Sequence, residues 1–195
     1  MDKFQQRYLE HKERKQRYET EDYKIHNKQK YDLFIKILNS RRSQRTFNKI
    51  DITDEELNKI NEAIKKSPSS CNRGAIYLKE MDIDDADKYL VGAKKWVLGA
   101  NRVFLVFGDK TAYKNPIEVD FMPYLDAGFV CQNIYLMCEA LNIGCCFINP
   151  NIREENKQDF VYKYRGDYLC GAIALGHYDK KAIKPPERND KQCMI

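Results

Sequence analysis

The 195-residue sequence predicts an α+β domain, or mixed α/β, built around one sheet. Three observations carry that expectation. The pattern of elements runs helices, strand, helix, strand, long helix, strand, helix, strand. Val103-Phe104-Leu105-Val106-Phe107 is apolar without a break, as in a strand covered on both faces. From Pro123 to Leu141 the apolar residues Phe129, Val130, Ile134, Tyr135, Met137, Cys138 and Leu141 do not keep to one side, so this helix is central or lies in a subunit interface.

The elements follow in order. Residues 1–29 are strongly charged, with Phe4, Tyr8, Tyr18 and Tyr23 interleaved and no Gly or Pro, which predicts a helical arm. Residues 30–195 form the domain, with the junction near residue 28. Leu33, Phe34, Ile37 and Leu38 give Tyr31–Asn39 helical spacing. Thr53-Asp54-Glu55-Glu56 is a capping box, and Leu57, Ile60 and Ile64 follow it on one face until Pro68. Ala75–Met81 reads as a strand and Asp84–Leu98 as a helix, with Tyr89, Leu90, Ala93, Trp96 and Val97 inward. Gly108-Asp109 ends the apolar strand, and Gly144 ends the long helix. Cys145–Ile148 is a short buried strand broken by Asn149-Pro150. Asn151–Tyr162 suggests a helix and Tyr168–Leu175 a last core strand, ending at Gly176. The tail from Ala182 is extended by Pro185-Pro186.

Charge and cysteine usage narrow the function. The formal net charge of +5, from 34 basic and 29 acidic residues, is mild and dispersed, so nucleic acid is weakly supported as a partner. The N-terminus is polar from Met1 onward and no apolar run reaches the ~20 residues of a membrane span, so no membrane is expected. The seven cysteines are an odd number, mostly in apolar stretches, and read as reduced thiols in a cytoplasmic protein. His11, His26 and His177 stand in no metal-like spacing with them, so no metal site is expected. Cys193-Met194-Ile195 is one residue short of a prenylation box.

The densest chemistry is Arg41-Arg42-Ser43-Gln44-Arg45-Thr46-Phe47. Guanidinium groups fit phosphate bidentately, and a serine hydroxyl adds a neutral donor or acceptor. The cluster suits one phosphate plus a second, separately charged part of the same ligand. The other candidate is Ser67-Pro68-Ser69-Ser70-Cys71-Asn72-Arg73-Gly74. It is either an ordinary turn or a loop whose hydroxyls and amide meet the polar edge of a heterocycle.

Four pieces in register resemble the nitroreductase family of FMN-dependent oxidoreductases, over roughly residues 30–188. Arg41–Phe47 resembles the opening motif Arg-Arg-Ser-x-Arg-x-Phe, and Ser67–Asn72 the loop Ala-Pro-Ser-Ser-x-Asn. Asp126-Ala127-Gly128 with Gln132-Asn133, then Leu141–Ile148, resembles the central helix and following strand. Ala174–Asp179 resembles the last strand and turn. The resemblance implies a mostly antiparallel mixed sheet flanked by helices, and a homodimer with the long helix and the FMN sites at its interface. It implies that Arg41 and Ser43 bind the phosphate and ribityl chain, with Arg42 beside them and Arg45 at the pyrimidine edge. Ser69 and Ser70 would come from the other subunit, Pro68 would count among the cofactor-binding residues, and Asn72 would meet the ring's polar edge. Phe147, Ile148 and Asn149 would pass the central ring, and Lys184 and Arg188 would be a second phosphate-binding pair.

In such a protein the flavin carries the redox chemistry and the chain supplies orientation and electrostatics. NADH or NADPH would reduce the flavin and leave before a small conjugated or nitroaromatic acceptor enters, a ping-pong scheme. No side chain is required as acid, base or nucleophile. The sequence departs from the family's pattern at Arg73-Gly74-Ala75, where Gln-Pro-Trp is common, and at Asn149-Pro150, where proline removes one N–H. The Asp109–Asp126 connection carries no long insertion of the kind that forms a lid in some relatives. Two alternatives stand: a flavin dehydrogenase acting on a peptide or biosynthetic intermediate without NAD(P)H, and a basic module whose arm grips nucleic acid or an acidic partner.

Overall fold

The computed structural model describes residues 3–18, 21–113 and 119–179. Lys184 and Arg188 therefore lie outside the described residues, as do residues 114–118 of the short Asp109–Asp126 connection. The chain divides into two compact units, Met1–Ser40 and Arg41–Ile195. The first holds α1 (Lys3–Tyr18) and α2 (Glu21–Ser40). α2 runs unbroken through residues 29 and 30, where the sequence suggested a boundary, because nothing there breaks a helix.

The second unit contains α3 (Asp54–Lys65), β1 (Ile76–Met81), α4 (Ile83–Tyr89), β2 (Arg102–Gly108), α5 (Met122–Leu141), β3 (Ile143–Ile148), α6 (Lys157–Lys163) and β4 (Tyr168–His177). The strands form one sheet in the order β1-β2-β4-β3, and every pair is antiparallel. A parallel bridge joins Ser43 to Cys145 at the β3 edge. The fold class is α+β.

β2 and β4 are central and sandwiched. Val103, Leu105 and Phe107 face a core with Tyr89, Leu90, Val97, Phe160 and Tyr164, beneath α4 and α6. Val106, Ile173 and Leu175 face a second core with Ile60, Val130, Ile134 and Cys138, beneath α3 and α5. Two-residue alternation distributes the apolar run between the cores. Each fully buried Leu, Ile or Phe contributes roughly 1.5–3 kcal/mol, which is why the sheet's middle is fixed by sequence.

Three boundaries differ from the sequence reading. The helix expected over Asn151–Tyr162 begins only at Lys157, after a 3₁₀ turn at Glu154–Asn156, because Ile152 is extended and bridges Leu90. The Asp84–Leu98 helix stops at Tyr89: Leu90 is extended and bridges Ile152, and Lys95 sits at φ 64°. The Arg153 guanidinium takes the carbonyls of Asp87 and Lys88, and the Lys95 N–H turns back to the Asp87 carboxylate at 2.6 Å. Tyr89 and Leu90 are still buried at the helix end, and two 3₁₀ turns carry Ala93 and Val97 inward, while Trp96 is only partly buried. The long helix ends at Asn142, not Gly144. Asn142 adopts the left-handed conformation (φ 59°) that asparagine tolerates, and its N–H meets the carbonyls of Cys138 and Glu139. Gly144 already belongs to β3, where a Cβ would come within 2.9 Å of the Gln44 side chain.

Candidate functional site

The segment Arg41–Phe47 lies along the β3 edge. Ser43 bridges Cys145, the Gln44 N–H donates to the Cys145 carbonyl at 2.9 Å, and the Asn48 N–H donates to the His177 carbonyl at 2.7 Å. Close approach is allowed by glycines: a Cβ on Gly144 would strike Gln44, and one on Gly176 would strike the Phe47 ring at 2.8 Å. The backbone is thereby pinned while its cations remain accessible.

Tyr135, on α5, gathers this segment. The Arg41 guanidinium lies 5.1 Å from its ring centroid. Its hydroxyl is 3.2 Å from Ser43 Oγ and accepts the Phe147 N–H at 2.7 Å. Burial, reinforced by the neighbouring Cys145, pushes the phenol up to about 12. The Arg45 guanidinium lies 5.8 Å from the Trp96 ring centroid and also approaches the Cys146 thiol, which burial pushes up. The Trp96 indole donates to the Gly92 carbonyl at 2.8 Å, and a Cβ on Gly92 would lie 3.4 Å from Asn149 Oδ1. Arg41 and Ser43 thus stand beside Tyr135 and Arg45 beside Trp96, whose turn approaches Asn149, while Phe147 is tied to Tyr135 through its N–H. Ile148, 3% exposed, instead faces the core beneath α4 and α6 and does not join them. The Phe147 ring occupies space that only a glycine at 171 leaves, since a Cβ there would sit 2.3 Å from its Cζ.

Arg42 folds back, donating from Nη1 to the Arg41 carbonyl at 2.6 Å, while its buried Nε has no partner among the described residues. None of Arg41, Arg42 and Arg45 pairs with a carboxylate among the described residues. Three guanidinium groups without counterions, one with an orphaned buried donor, form a donor set suited to an anion.

The loop Ser67–Gly74 is held elsewhere. Asn133 of α5 donates to Ser67 Oγ at 2.9 Å, pinning the loop's start. Asp126, fully buried, accepts the Ser70 N–H at 2.9 Å, the Ser70 hydroxyl at 2.8 Å and the Tyr113 hydroxyl at 2.9 Å. Burial and that carboxylate push the Tyr113 phenol well above its ordinary range, keeping it a donor. Ser69 Oγ accepts the Gly74 N–H at 2.9 Å. Cys71 (φ 53°) and Asn72 (φ 54°) are both left-handed, a conformation costing of order 1–3 kcal/mol for ordinary residues, and the flanking anchors hold it. Pro68, Cys71 and Asn72 are exposed.

The two groups do not converge within one chain. At 100° per residue, Asp126 and Tyr135 are half a turn out of phase, on opposite flanks of α5. At 1.5 Å per residue they are also about 14 Å apart along its axis. Between the flanks α5 presents Leu125, Phe129 and Gln132 to solvent, with Phe121 and Tyr124 also exposed near its start. Sequence reasoning missed Tyr135, Trp96 and the anchoring role of Asp126. Only Asp126 had a signal, an acidic residue in the apolar first half of the helix. Among the described residues no His/Cys/Asp/Glu group could hold a metal, and no helix is long and apolar enough to cross a membrane.

The model of the nitroreductase family matches residues 38–80 and 76–177. Solved structures share the fold. The NADPH:FMN oxidoreductase of Vibrio harveyi, complexed with NAD+, has a TM-score of 0.69 at 21% identity, covering 81% of this chain and 74% of that one. A protein assigned as a nitroreductase from Desulfovibrio desulfuricans, in complex with FMN, has 0.67 at 21%, covering 83% and 95%. A nitroreductase family protein from Streptococcus pneumoniae has 0.67 at 15%, covering 82% and 96%. No curated protein matches the sequence. With more than half of its length matched by the family model and its sheet and helices arranged as in these structures, the chain belongs to the nitroreductase family.

Proposed function

We propose that the protein is an FMN-dependent NAD(P)H oxidoreductase acting as a homodimer on a small conjugated or nitroaromatic acceptor. The observation that carries this reading is the line of guanidinium groups along β3 that meet no carboxylate among the described residues, with the buried Arg42 Nε likewise without a partner among those residues. The Desulfovibrio relative binds FMN, and the Vibrio relative is an NADPH:FMN oxidoreductase; both properties are extended to this chain as part of the proposal.

FMN, when bound, supplies the hydride chemistry at its ring. Arg41, Arg42 and Ser43 hold its phosphate and ribityl chain. Arg45, fixed on Trp96, places a cation at the pyrimidine edge, where reduction accumulates negative charge. Phe147 and Asn149 would pass along the ring, with the buried Ile148 holding the strand behind them. The second basic pair, Lys184 and Arg188, is proposed from sequence alone. NADH or NADPH and the acceptor take turns in the space left open, consistent with ping-pong kinetics.

The homodimer reading rests on α5. Two copies related by a two-fold axis and packed through Leu125 and Phe129 would bring the Ser69–Asn72 flank of one against the Arg41–Ser43 flank of the other. The half-turn separation of the flanks leaves a single chain with two incomplete halves, and pairing completes both.

Titration with FMN tests the reading. The wild-type protein should be yellow and bind FMN, and Arg41→Ala should lose roughly 10- to 150-fold in affinity, the value of hydrogen bonds to a charged group at ~1.5–3 kcal/mol. A protein that takes up no added FMN, or an Arg41→Ala variant with unchanged affinity, contradicts it.

A further inference from the structure

We propose that Tyr135 is a positioning residue: its phenol fixes the polarity of the Ser43 hydroxyl, so that Ser43 presents its hydrogen to an anionic or ribityl oxygen of bound FMN. The inference rests on the FMN reading above and extends it to a residue outside the motifs.

The argument is one of donor counting. The Phe147 N–H reaches the Tyr135 oxygen at 2.7 Å, and an N–H can only donate. That contact occupies a lone pair of the phenol and leaves its hydrogen to be placed elsewhere. Two groups are near. The Cys146 thiol is a weak acceptor. Ser43 Oγ, at 3.2 Å, is the oxygen in reach. The phenol holds its proton at neutral pH, since burial pushes it up to about 12. The Phe147 N–H donates to Tyr135; the 3.2 Å contact with Ser43 fits either direction, and on the proposal Tyr135 O–H is its donor, to the nearest oxygen rather than the Cys146 thiol.

A serine hydroxyl that accepts from Tyr135 turns its own hydrogen away from it. Ser43 is exposed, so that hydrogen points to a space open to ligand. Without Tyr135 the hydroxyl is free to rotate and to offer a lone pair, which repels a phosphate oxygen. The same ring supports the Arg41 guanidinium at 5.1 Å, so an oxygen meeting the Ser43 hydrogen also meets a cation. The backbone of Ser43 is fixed by its bridge to Cys145, and the chain of donors starts on β3 itself, at Phe147. Phosphate-binding loop and flavin-lining strand are therefore tied through one phenol.

The test is a double-mutant cycle read by FMN titration, using wild type, Ser43→Ala, Tyr135→Phe and the double variant, each checked for folding by circular dichroism. Ser43→Ala and Tyr135→Phe should each weaken FMN binding by roughly 2- to 13-fold, the range for one neutral hydrogen bond. Because Tyr135 acts through Ser43, the double variant should bind no more weakly than the weaker single one. Multiplying losses in the double variant overturn the proposal, as does unchanged affinity in either single variant. A Tyr135→Phe chain that does not fold also overturns it, since the phenol is then a structural strut. If the wild type takes up no FMN, the underlying reading fails and the proposal falls with it; wild-type binding with multiplying losses removes only the role of Tyr135.

Discussion

Replacing Asp126 should cost stability in an order set by what each side chain can still accept. The carboxylate is fully buried and receives three donors at 2.8–2.9 Å, two from Ser70 and one from the Tyr113 hydroxyl. Asp126→Ala removes all three acceptor contacts. Ser70 is half-buried, so its N–H and O–H can turn partly to water. Tyr113 is only 4% exposed and cannot. An unsatisfied buried donor costs about 1–3 kcal/mol, so a total near 3 kcal/mol is expected, about 6–12 °C in Tm for a chain of this length. Asp126→Asn keeps an oxygen for both Ser70 donors, while its amide can donate to a rotated Tyr113 hydroxyl. It loses mainly charge assistance, about 1 kcal/mol. Thermal unfolding at fixed protein concentration, with and without FMN, measures both. The alanine variant should also bind FMN less tightly, because Cys71 and Asn72 hold left-handed backbone only while the loop is anchored. An asparagine variant as unstable as the alanine one, or an alanine variant within 1 °C of wild type, would refute the donor-counting argument.

Three further outcomes follow from the same geometry. Burial pushes Glu56 up, but the Thr53 N–H and hydroxyl, followed by the nearby His177, outweigh it and hold the carboxyl below its usual range. Its stabilising contribution is therefore complete above the unfolded value of 4.5 and is lost as the pH falls through the lower folded one. Glu56→Gln should be less stable than wild type near pH 7 and converge with it in acid, by denaturant unfolding across pH. Gly171→Ala should destabilise by about 2 kcal/mol or more, because the new Cβ meets Phe147 Cζ at 2.3 Å on a positive-φ backbone; a Tm unchanged from wild type contradicts this. Phe129 is 41% exposed, so Phe129→Glu should barely alter the stability of an isolated chain. If α5 pairs with a second copy, light scattering should show Phe129→Glu shifted to monomer with FMN affinity lost.

The sheet and its two cores were readable because burial writes itself into composition. Val103–Phe107 has no polar residue, and the structure covers it on both sides. The Thr53–Glu56 box was equally direct: a local hydrogen-bond pattern needs only residue types at the right spacing, and both of its reciprocal bonds form. Where tertiary contacts decide, the sequence was silent. The helix after Asp84 has a sound apolar period, yet Arg153, some sixty-five residues away, takes its last carbonyls and ends it. Spacing cannot register a donor arriving from another element.

The site shows the same division more sharply. Arg41, Ser43 and Arg45 stood out because three guanidinium groups and a hydroxyl in one short stretch suit an anion, and the structure sets them together along the β3 edge. The anchoring roles of Tyr135 and Asp126 did not, because both sit on a mostly apolar helix, where a tyrosine reads as core and a carboxylate gives no hint of its partners. Yet they determine what the motifs do. Asp126 and Asn133 anchor the Ser67–Gly74 loop on one flank of α5, and Tyr135 gathers Arg41, Ser43 and Phe147 on the other. The helix that separates the half-sites by half a turn is thus the element that rigidifies both. A cofactor clamped between two such halves would feel any rotation of α5 at both ends at once. Substitutions along the exposed ridge between them should therefore change FMN affinity even where they touch no cofactor atom.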